Sequence, residues 1–294
     1  ENSQDGHLAV STDAHIVSPL FFPGGDIGRL AVCGTVNDVC MSGARPLYLT
    51  AGFILEEGFP VASLVKILAS MQAAAEEAGI QIVAGDTKVV EKGKADGIFI
   101  TTAGIGWIPA GRQIAGDQAA PGDAVIISGT LGDHGIAVLA ERGELGFETA
   151  VTSDVAPLNG LIEQLLQAAP HTHVLRDPTR GGLATTLNEI AMQSSVNILL
   201  DEKSIPIQPA VRAASEMLGF DPLYIANEGK VIVILPVDEA DAALAAIKRH
   251  PYGQNAALIG KVQLAPAGRV LLRTAIGGTR ILDMLSGEML PRIC

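Results

Sequence analysis

The sequence is short of aromatic residues, cysteine and positive charge. Phe, Tyr and Trp make up 4% of 294 residues, while 48% are hydrophobic and 33 are glycine. This composition describes a globular chain packed from small side chains. The three cysteines, Cys33, Cys40 and Cys294, are too widely spaced for a C-x-x-C unit or a zinc framework. An odd cysteine count without a secretory signal implies a reducing, cytoplasmic setting. No apolar run is long enough to span a membrane. Lys and Arg number 20 against 32 Asp and Glu, a net charge of −12. That excess argues against a nucleic-acid partner or an anionic membrane surface. It leaves nucleotide binding open, because Mg²⁺ held by carboxylates can carry phosphates. Neither a Walker A pattern nor a G-x-G-x-x-G following a strand is present, so a nucleotide would have to be held by another device. The chain opens Glu1-Asn2-Ser3-Gln4 without Met, so its true start is expected upstream.

The length suits two domains. Strands are expected at His7–Thr12, Tyr48–Leu55, Ile80–Ala84 and Ile98–Ile105. Helices are expected at Ile27–Ser42, stopped by Gly43, and at Val61–Ala78. In the second of these, Val61, Leu64, Val65, Leu68, Met71 and Ala75 form one apolar stripe and Gly79 closes the end. The Gly- and Pro-punctuated stretch 111–122 marks a boundary. Beyond it lie strands at Ala124–Ser128 and Val231–Val237, and helices at Leu158–Ala169 and Leu183–Gln193. A further helix is capped by Asp238. The reading is an α/β chain of the α+β type with two mixed domains, 1–116 and 117–276. A flexible tail, 277–294, follows.

Four acidic clusters sit at the ends or turns of these elements: Ser11-Thr12-Asp13, Asn37-Asp38, Gly85-Asp86-Thr87-Lys88 and Asn227-Glu228-Gly229-Lys230. On the first helix, Gly34 and Ser42 share a face with Asp38 and leave room beside its carboxylate. Any one cluster is ordinarily a turn or a cap, but four together favour a metal–phosphate site. Two glycine loops, Ser128-Gly129-Thr130-Leu131-Gly132-Asp133-His134-Gly135 and Arg176-Asp177-Pro178-Thr179-Arg180-Gly181-Gly182, offer backbone N–H groups to anions. His134 alone reads as a hydrogen-bonded structural histidine, and Cys33 and Cys40 as buried packing residues. A terminal thiol at Cys294 is by itself a weak signal. With a metal–phosphate site beside it, the thiol suggests a tethered substrate carrier.

The four acidic clusters, the loop from Ser128 to Gly135 and Arg180-Gly181-Gly182, together with Pro19-Leu20-Phe21-Phe22-Pro23-Gly24-Gly25, Gly52-Phe53-Ile54-Leu55-Glu56-Glu57-Gly58 and the terminal Pro291-Arg292-Ile293-Cys294, resemble the HypE family of hydrogenase maturation factors along the length of the chain. Gly-Asp-Thr-Lys and Asn-Asp-Val alone resemble the wider PurM-like, aminoimidazole ribonucleotide synthetase superfamily. The family's own glycine-rich opening segment precedes the first residue here. The resemblance implies a homodimer formed by the first domain and an ATP site with Mg²⁺ near that interface. It also implies a carbamoyl dehydratase reaction on Cys294, turning a thiocarboxamide into a thiocyanate. The implied partners are the carbamoyltransferase HypF and a HypC–HypD scaffold, and the product is the cyanide ligand of a nickel–iron hydrogenase.

On that resemblance Asp38 and Asp86, with Asp13, are expected to hold Mg²⁺. Lys88 would stabilise the transferring phosphoryl group, and Glu228 would serve as base or second metal ligand. Asn37, Gly85, Thr87, Gly129, Asp133, Arg180, Gly181, Gly182 and Asn227 would position the nucleotide or substrate. An extended arm from Gly277 to Cys294 reaches about 55 Å at ~3.3 Å per residue, enough to cross a domain. The alternatives are a PurM-like enzyme acting on a free small molecule, which would not need Cys294, and a non-catalytic scaffold that docks through its tail.

Overall fold

A computed structural model describes residues 6–143, 149–285, 287, 290 and 293. The first part of the chain runs β1 (Gly6–His15), β2 (Phe21–Phe22), β3 (Gly25–Asp26), α1 (Ile27–Met41), β4 (Arg45–Glu56), α2 (Val61–Ala78), β5 (Gln81–Val90) and β6 (Ile98–Pro109). Four of these strands form one sheet in the order β1-β6-β4-β5, with β5 parallel to β4 at an open edge. The second part begins with β7 (Ala124–Ile127), α3 (Asp133–Glu141), α4 (Asn159–Ala168), β8 (Val174–Arg176), α5 (Gly182–Gln193) and β9 (Asn197–Asp201). It continues with α6 (Pro209–Leu218), β10 (Ile232–Leu235), α7 (Ala240–Arg249), β11 (Ala257–Gln263), β12 (Arg269–Arg273) and β13 (Thr279–Leu282). Its seven-stranded sheet has the order β13-β12-β9-β11-β7-β10-β8.

Helix α1 is the hinge of the architecture. The Asp26 carboxylate caps it, accepting from the N–H groups of Gly28 at 2.7 Å and Arg29 at 3.2 Å. Its residues are apolar or small nearly all round, so it is buried on several sides: it packs on α2 and β6 and also meets β8 and α4 of the second part. A Cβ at Gly28 would stand 2.4 Å from the Ile67 carbonyl, so only glycine permits this approach of α1 to α2. The Asn37 side chain bolts the two parts together. Its amide donates to the carbonyls of Ala156 (3.0 Å) and Glu228 (3.2 Å), and its oxygen accepts from Leu158 N–H (2.8 Å).

Four details differ from the sequence reading. The tail was expected to begin at Gly277, yet Thr279–Leu282 is a strand paired with β12. In what remains of that segment, Leu290 and Ile293 are buried, at 8% and 2% exposure. Gly85-Asp86-Thr87-Lys88 was placed after a strand and lies inside β5, because pairing with β4 continues past the apolar run. Asp238 does not cap α7. It sits in a 3-10 turn, Val237–Glu239, and Glu239 takes the position before the helix.

Candidate active site

The period of 2 along β1 points Ser11, Asp13 and His15 to one face, toward α1. Gly34 makes this possible: a Cβ there would stand 3.1 Å from His15 Cε1 and 3.6 Å from Asp13 Oδ2. One turn further, Ser11 Oγ donates to Asp38 Oδ2 at 2.9 Å. Across the gap, the loop before α5 brings in Asp177. Ser11, Asp38 and Asp177 open onto a hollow of about 400 Å³ that Arg176, Thr179 and Arg180 also help to line. Burial, then the facing charge of Asp177, push the Asp38 carboxyl up to about 7, and Ser11 only partly offsets this.

Glu228 lies behind this group. It is 6% exposed, and its Oε1 has no hydrogen-bond partner among the described residues. Burial, followed by the charges of Asp154, Asp177, Asp13 and Asp38, raises its carboxyl well above the usual range. Its backbone N–H donates to Asp154 Oδ1 at 3.1 Å. Lys230 Nζ stands 3.0 Å from Asp154 Oδ2, so the nearest lysine is committed to Asp154. A Cβ at Gly229 would come 1.8 Å from the Asp154 carbonyl, which explains the glycine between Glu228 and Lys230.

The structure therefore brings Asp13, Asp38 and Glu228 together and adds Asp177, which the sequence reading left unassigned. Its only sequence signal was a carboxylate set before Pro178 and the glycine turn of α5. Asp86 and Lys88 are placed elsewhere. Both are exposed on the open edge strand β5, where Lys88 Nζ pairs with Asp86 Oδ2 at 3.1 Å. Gly85 and Thr87 share that exposed position. Among the described residues, no cluster of three or more His, Cys, Asp or Glu side chains has the geometry to hold a metal ion. The expected triad of Asp13, Asp38 and Asp86 is thus not assembled within one chain. Cys294 lies outside the described residues.

Several residues assigned to a ligand are spent on the protein itself. Asn37 makes the three bonds given above. Asn227 donates to the carbonyls of Pro178 (2.9 Å) and Ile225 (3.0 Å) and accepts from Gly132 N–H (2.8 Å), tying three loops together. Asp133 accepts from Thr130 Oγ1 at 2.5 Å and from Gln208 Nε2 at 2.9 Å. It borders, with Gly129 and Lys230, a second polar hollow of about 550 Å³. Gly181 and Gly182 have φ of 76° and 59°, and a side chain on Gly182 would strike the Leu223 and Ile225 carbonyls at 2.7 Å. Arg180 is exposed between the carboxylate hollow and a smaller one of about 280 Å³ that Leu290 and Ile293 help to line.

Comparison with known proteins gives this arrangement a family. Residues 2–108 match the N-terminal domain, and residues 120–273 the C-terminal domain, of AIR synthase related proteins. The carbamoyl dehydratase HypE of Cupriavidus necator is 59% identical over 287 residues, covering 98% of this chain and 82% of that protein. The chain belongs to the HypE family. A crystal structure of the hydrogenase maturation protein HypE in complex with ATP superposes with a TM-score of 0.95 at 53% identity, covering 100% of this chain and 89% of the other. A HypE–HypF complex superposes with a TM-score of 0.92 at 54% identity, covering 95% and 90%. The mixed α/β architecture is thus the PurM-like one of this family. Among the described residues, no helix is long and apolar enough to cross a membrane.

Proposed function

We propose that this chain is an ATP-dependent carbamoyl dehydratase acting on its own C-terminal residue. The S-carbamoyl group on Cys294, R–S–C(=O)–NH₂, loses its oxygen and both N–H protons to become the thiocyanate R–S–C≡N. That cyano group then becomes the cyanide ligand on the iron of a nickel–iron hydrogenase. The observation that carries this reading is Glu228: a buried carboxyl, one oxygen of which has no hydrogen-bond partner among the described residues, close to a group of carboxylates. It fits a base that takes protons from the carbamoyl nitrogen. The ATP complex and the HypF complex of HypE relatives support the co-substrate and the carbamoyltransferase partner.

An amide oxygen is a poor leaving group, and the phosphoryl group of ATP turns it into a good one. Asp38 and Asp177 at the hollow, with Asp13 close to Asp38, offer the carboxylate oxygens a hard cation prefers, and because the described residues of one chain do not complete a metal site, they would hold Mg²⁺ together with the nucleotide phosphates and a ligand from a second copy. The cation would supply neutralisation of the phosphates there. Burial, and then the charges of its acidic neighbours, push the Glu228 carboxyl upward, so cancelling the neighbours' charge would favour the ionised form that accepts a proton.

Asp86 and Lys88 join this reading through a homodimer. The open edge of β5 exposes Ile82, Val83 and Val89, and the neighbouring face of α2 exposes Val61, Val65 and Leu68. A hollow of about 740 Å³ between them is lined by Phe53, Leu68, Met71 and Ile82, among others. An unpaired strand edge beside apolar surface favours a second copy. It would bring Asp86 as a further metal ligand, and Lys88 as the charge that stabilises phosphoryl transfer, to the cleft of the partner. HypC–HypD is the proposed recipient of the cyano group, and the cytoplasm the proposed compartment. We keep 1–116 and 117–276 as the domain division, with the terminal segment as the carrier.

The test is intact-mass spectrometry of the protein incubated with its carbamoyltransferase, carbamoyl phosphate and Mg–ATP. One carbamoyl gain on Cys294 followed by loss of one water is expected. ATP consumption without change at Cys294, or full turnover by Cys294→Ala, would favour a PurM-like enzyme with a free substrate.

A further inference from the structure

Two residues of the carboxyl-terminal segment, Ile293 and Leu290, pack at one buried imidazole and the glycine that follows it. The ring of His134, at the start of α3, is fully buried. Its Nε2 lies 2.7 Å from the backbone oxygen of Ile293, and its Nδ1 lies 2.8 Å from Ser153 Oγ. A carbonyl can only accept, so Nε2 carries the proton. Burial lowers the ring's affinity for a second proton, so Nδ1 accepts from the Ser153 hydroxyl. Ser153 Oγ in turn accepts from Val155 N–H at 3.2 Å. The relay has one consistent direction: Val155 N–H to Ser153, Ser153 O–H to Nδ1, Nε2–H to Ile293. Phe22 of β2 meets the ring edge-on, with centroids 5.4 Å apart and planes at 89°, and fixes its orientation from the other sheet's side. Leu290 completes the seat. A Cβ on Gly135 would approach its Cδ1 to 3.1 Å, so glycine leaves room for it.

We propose that His134 is a positioning residue for the terminal carrier: it holds the carbonyl that opens the peptide bond to Cys294 and thereby keeps the carrier docked for dehydration. This deepens the proposed function and rests on it for the meaning of docking, though not for the contact itself. Asp154 links the latch to the base, since its charge acts on His134 and it accepts the backbone N–H of Glu228. Loading by another protein's active site requires the opposite state. Ile293 at 2% exposure cannot enter a foreign cleft. The latch therefore opens for loading and closes for dehydration.

The contact can be read directly with carboxypeptidase Y. That protease attacks the Ile293 carbonyl to release Cys294, and it cannot do so while His134 holds the same oxygen. When opening is fast relative to cleavage, the rate of release follows the open population. Loss of one such hydrogen bond raises the rate roughly three- to tenfold. His134→Leu should show that increase by intact mass, and His134→Gln, which offers an amide N–H near the same point, should stay close to the wild type. If His134→Leu fails to fold, Ser153→Ala decides, with at least about a twofold rise. In the coupled assay, His134→Leu should load as fast as the wild type or faster. It should convert the loaded group about three- to tenfold more slowly, with the KM for ATP unchanged. Equal release rates in all folded variants would overturn the latch. A wild type that never gains a carbamoyl group would overturn the proposed function while leaving the digestion result standing.

Discussion

Replacing Asp38 by Asn tests whether the carboxylates are held in mutual repulsion. The Asp38 carboxyl is pushed from the usual 3.8 to about 7, by burial first and by Asp177 and Asp13 beyond it. At ~1.4 kcal/mol per pH unit the ceiling is about 4 kcal/mol, and partial exposure to solvent cuts this to about 2 kcal/mol. The sign follows from proton binding. The folded chain keeps a proton that the unfolded chain releases, so the stabilisation is complete below pH ~4 and disappears as the pH rises through about 7. Asn has no proton to lose and can still accept from Ser11. Asp38→Asn should therefore match the wild type near pH 4 and exceed it at pH 8. A gain of about 2 kcal/mol raises Tm by roughly 4–8 °C at this chain size.

Differential scanning fluorimetry at both pH values reads the difference, and Mg²⁺ adds a second arm. Magnesium should raise the wild-type Tm at pH 8 by mass action on the folded state, and less so for Asp38→Asn. An equal offset between variant and wild type at pH 4 and pH 8, or a variant less stable at pH 8, would refute the reasoning. Either result would mean that Asp38 is not held near neutrality by its neighbours.

Three further outcomes are expected. Glu228→Gln should keep ATP binding while thiocyanate formation falls at least about a hundredfold in single-turnover mass spectrometry. Lys230→Met leaves the Asp154 charge buried without its cation and should cost about 3–5 kcal/mol in urea denaturation, whereas pairing it with Asp154→Leu should recover much of that loss. Val83→Lys on the open edge of β5 should convert a dimer to a monomer by light scattering with an unchanged far-UV circular dichroism spectrum. A dimer that persists would place the interface elsewhere.

The elements with strong local chemistry were legible from the sequence. Helix α2 ends where expected because Gly79 adopts the left-handed conformation at φ 67°, and the stop after Met41 follows from Gly43 at φ 74°. The reading lost Gly85-Asp86-Thr87-Lys88 because an open edge strand needs no apolar alternation past Ala84; pairing with β4 alone extends it. It lost the short strands β11, β12 and β13 because their partners are distant in the chain. At the site, residue types were visible but not their allegiance. Asn37 and Asn227 look like ligand contacts, and only the fold reveals that each spends its amide on loop carbonyls. The structural reading of His134 was sound, yet its partner at Ile293 is 159 residues away, beyond any local pattern.

The distribution of positive charge is the clearest physical sign of purpose. Packing acids together costs stability unless a cation is supplied, and a chain selected only for stability would place lysines among them. Here Lys230 serves Asp154, Arg176 pairs with Glu189 at 2.8 Å, and Lys88 pairs with Asp86 on a distant edge. Asp38 and Glu228 are left pushed upward, and Arg176 only partly relieves Asp38. Among the described residues positive charge at these two carboxyls is short, and on the proposed reading the bound cation supplies it. Burial and the neighbouring carboxylates push the Glu228 carboxyl upward, so on the proposed reading proton abstraction at the carrier would be favoured once the charge of those carboxylates is neutralised. A base that stays silent until the charge arrives would protect a loaded Cys294 from unproductive chemistry.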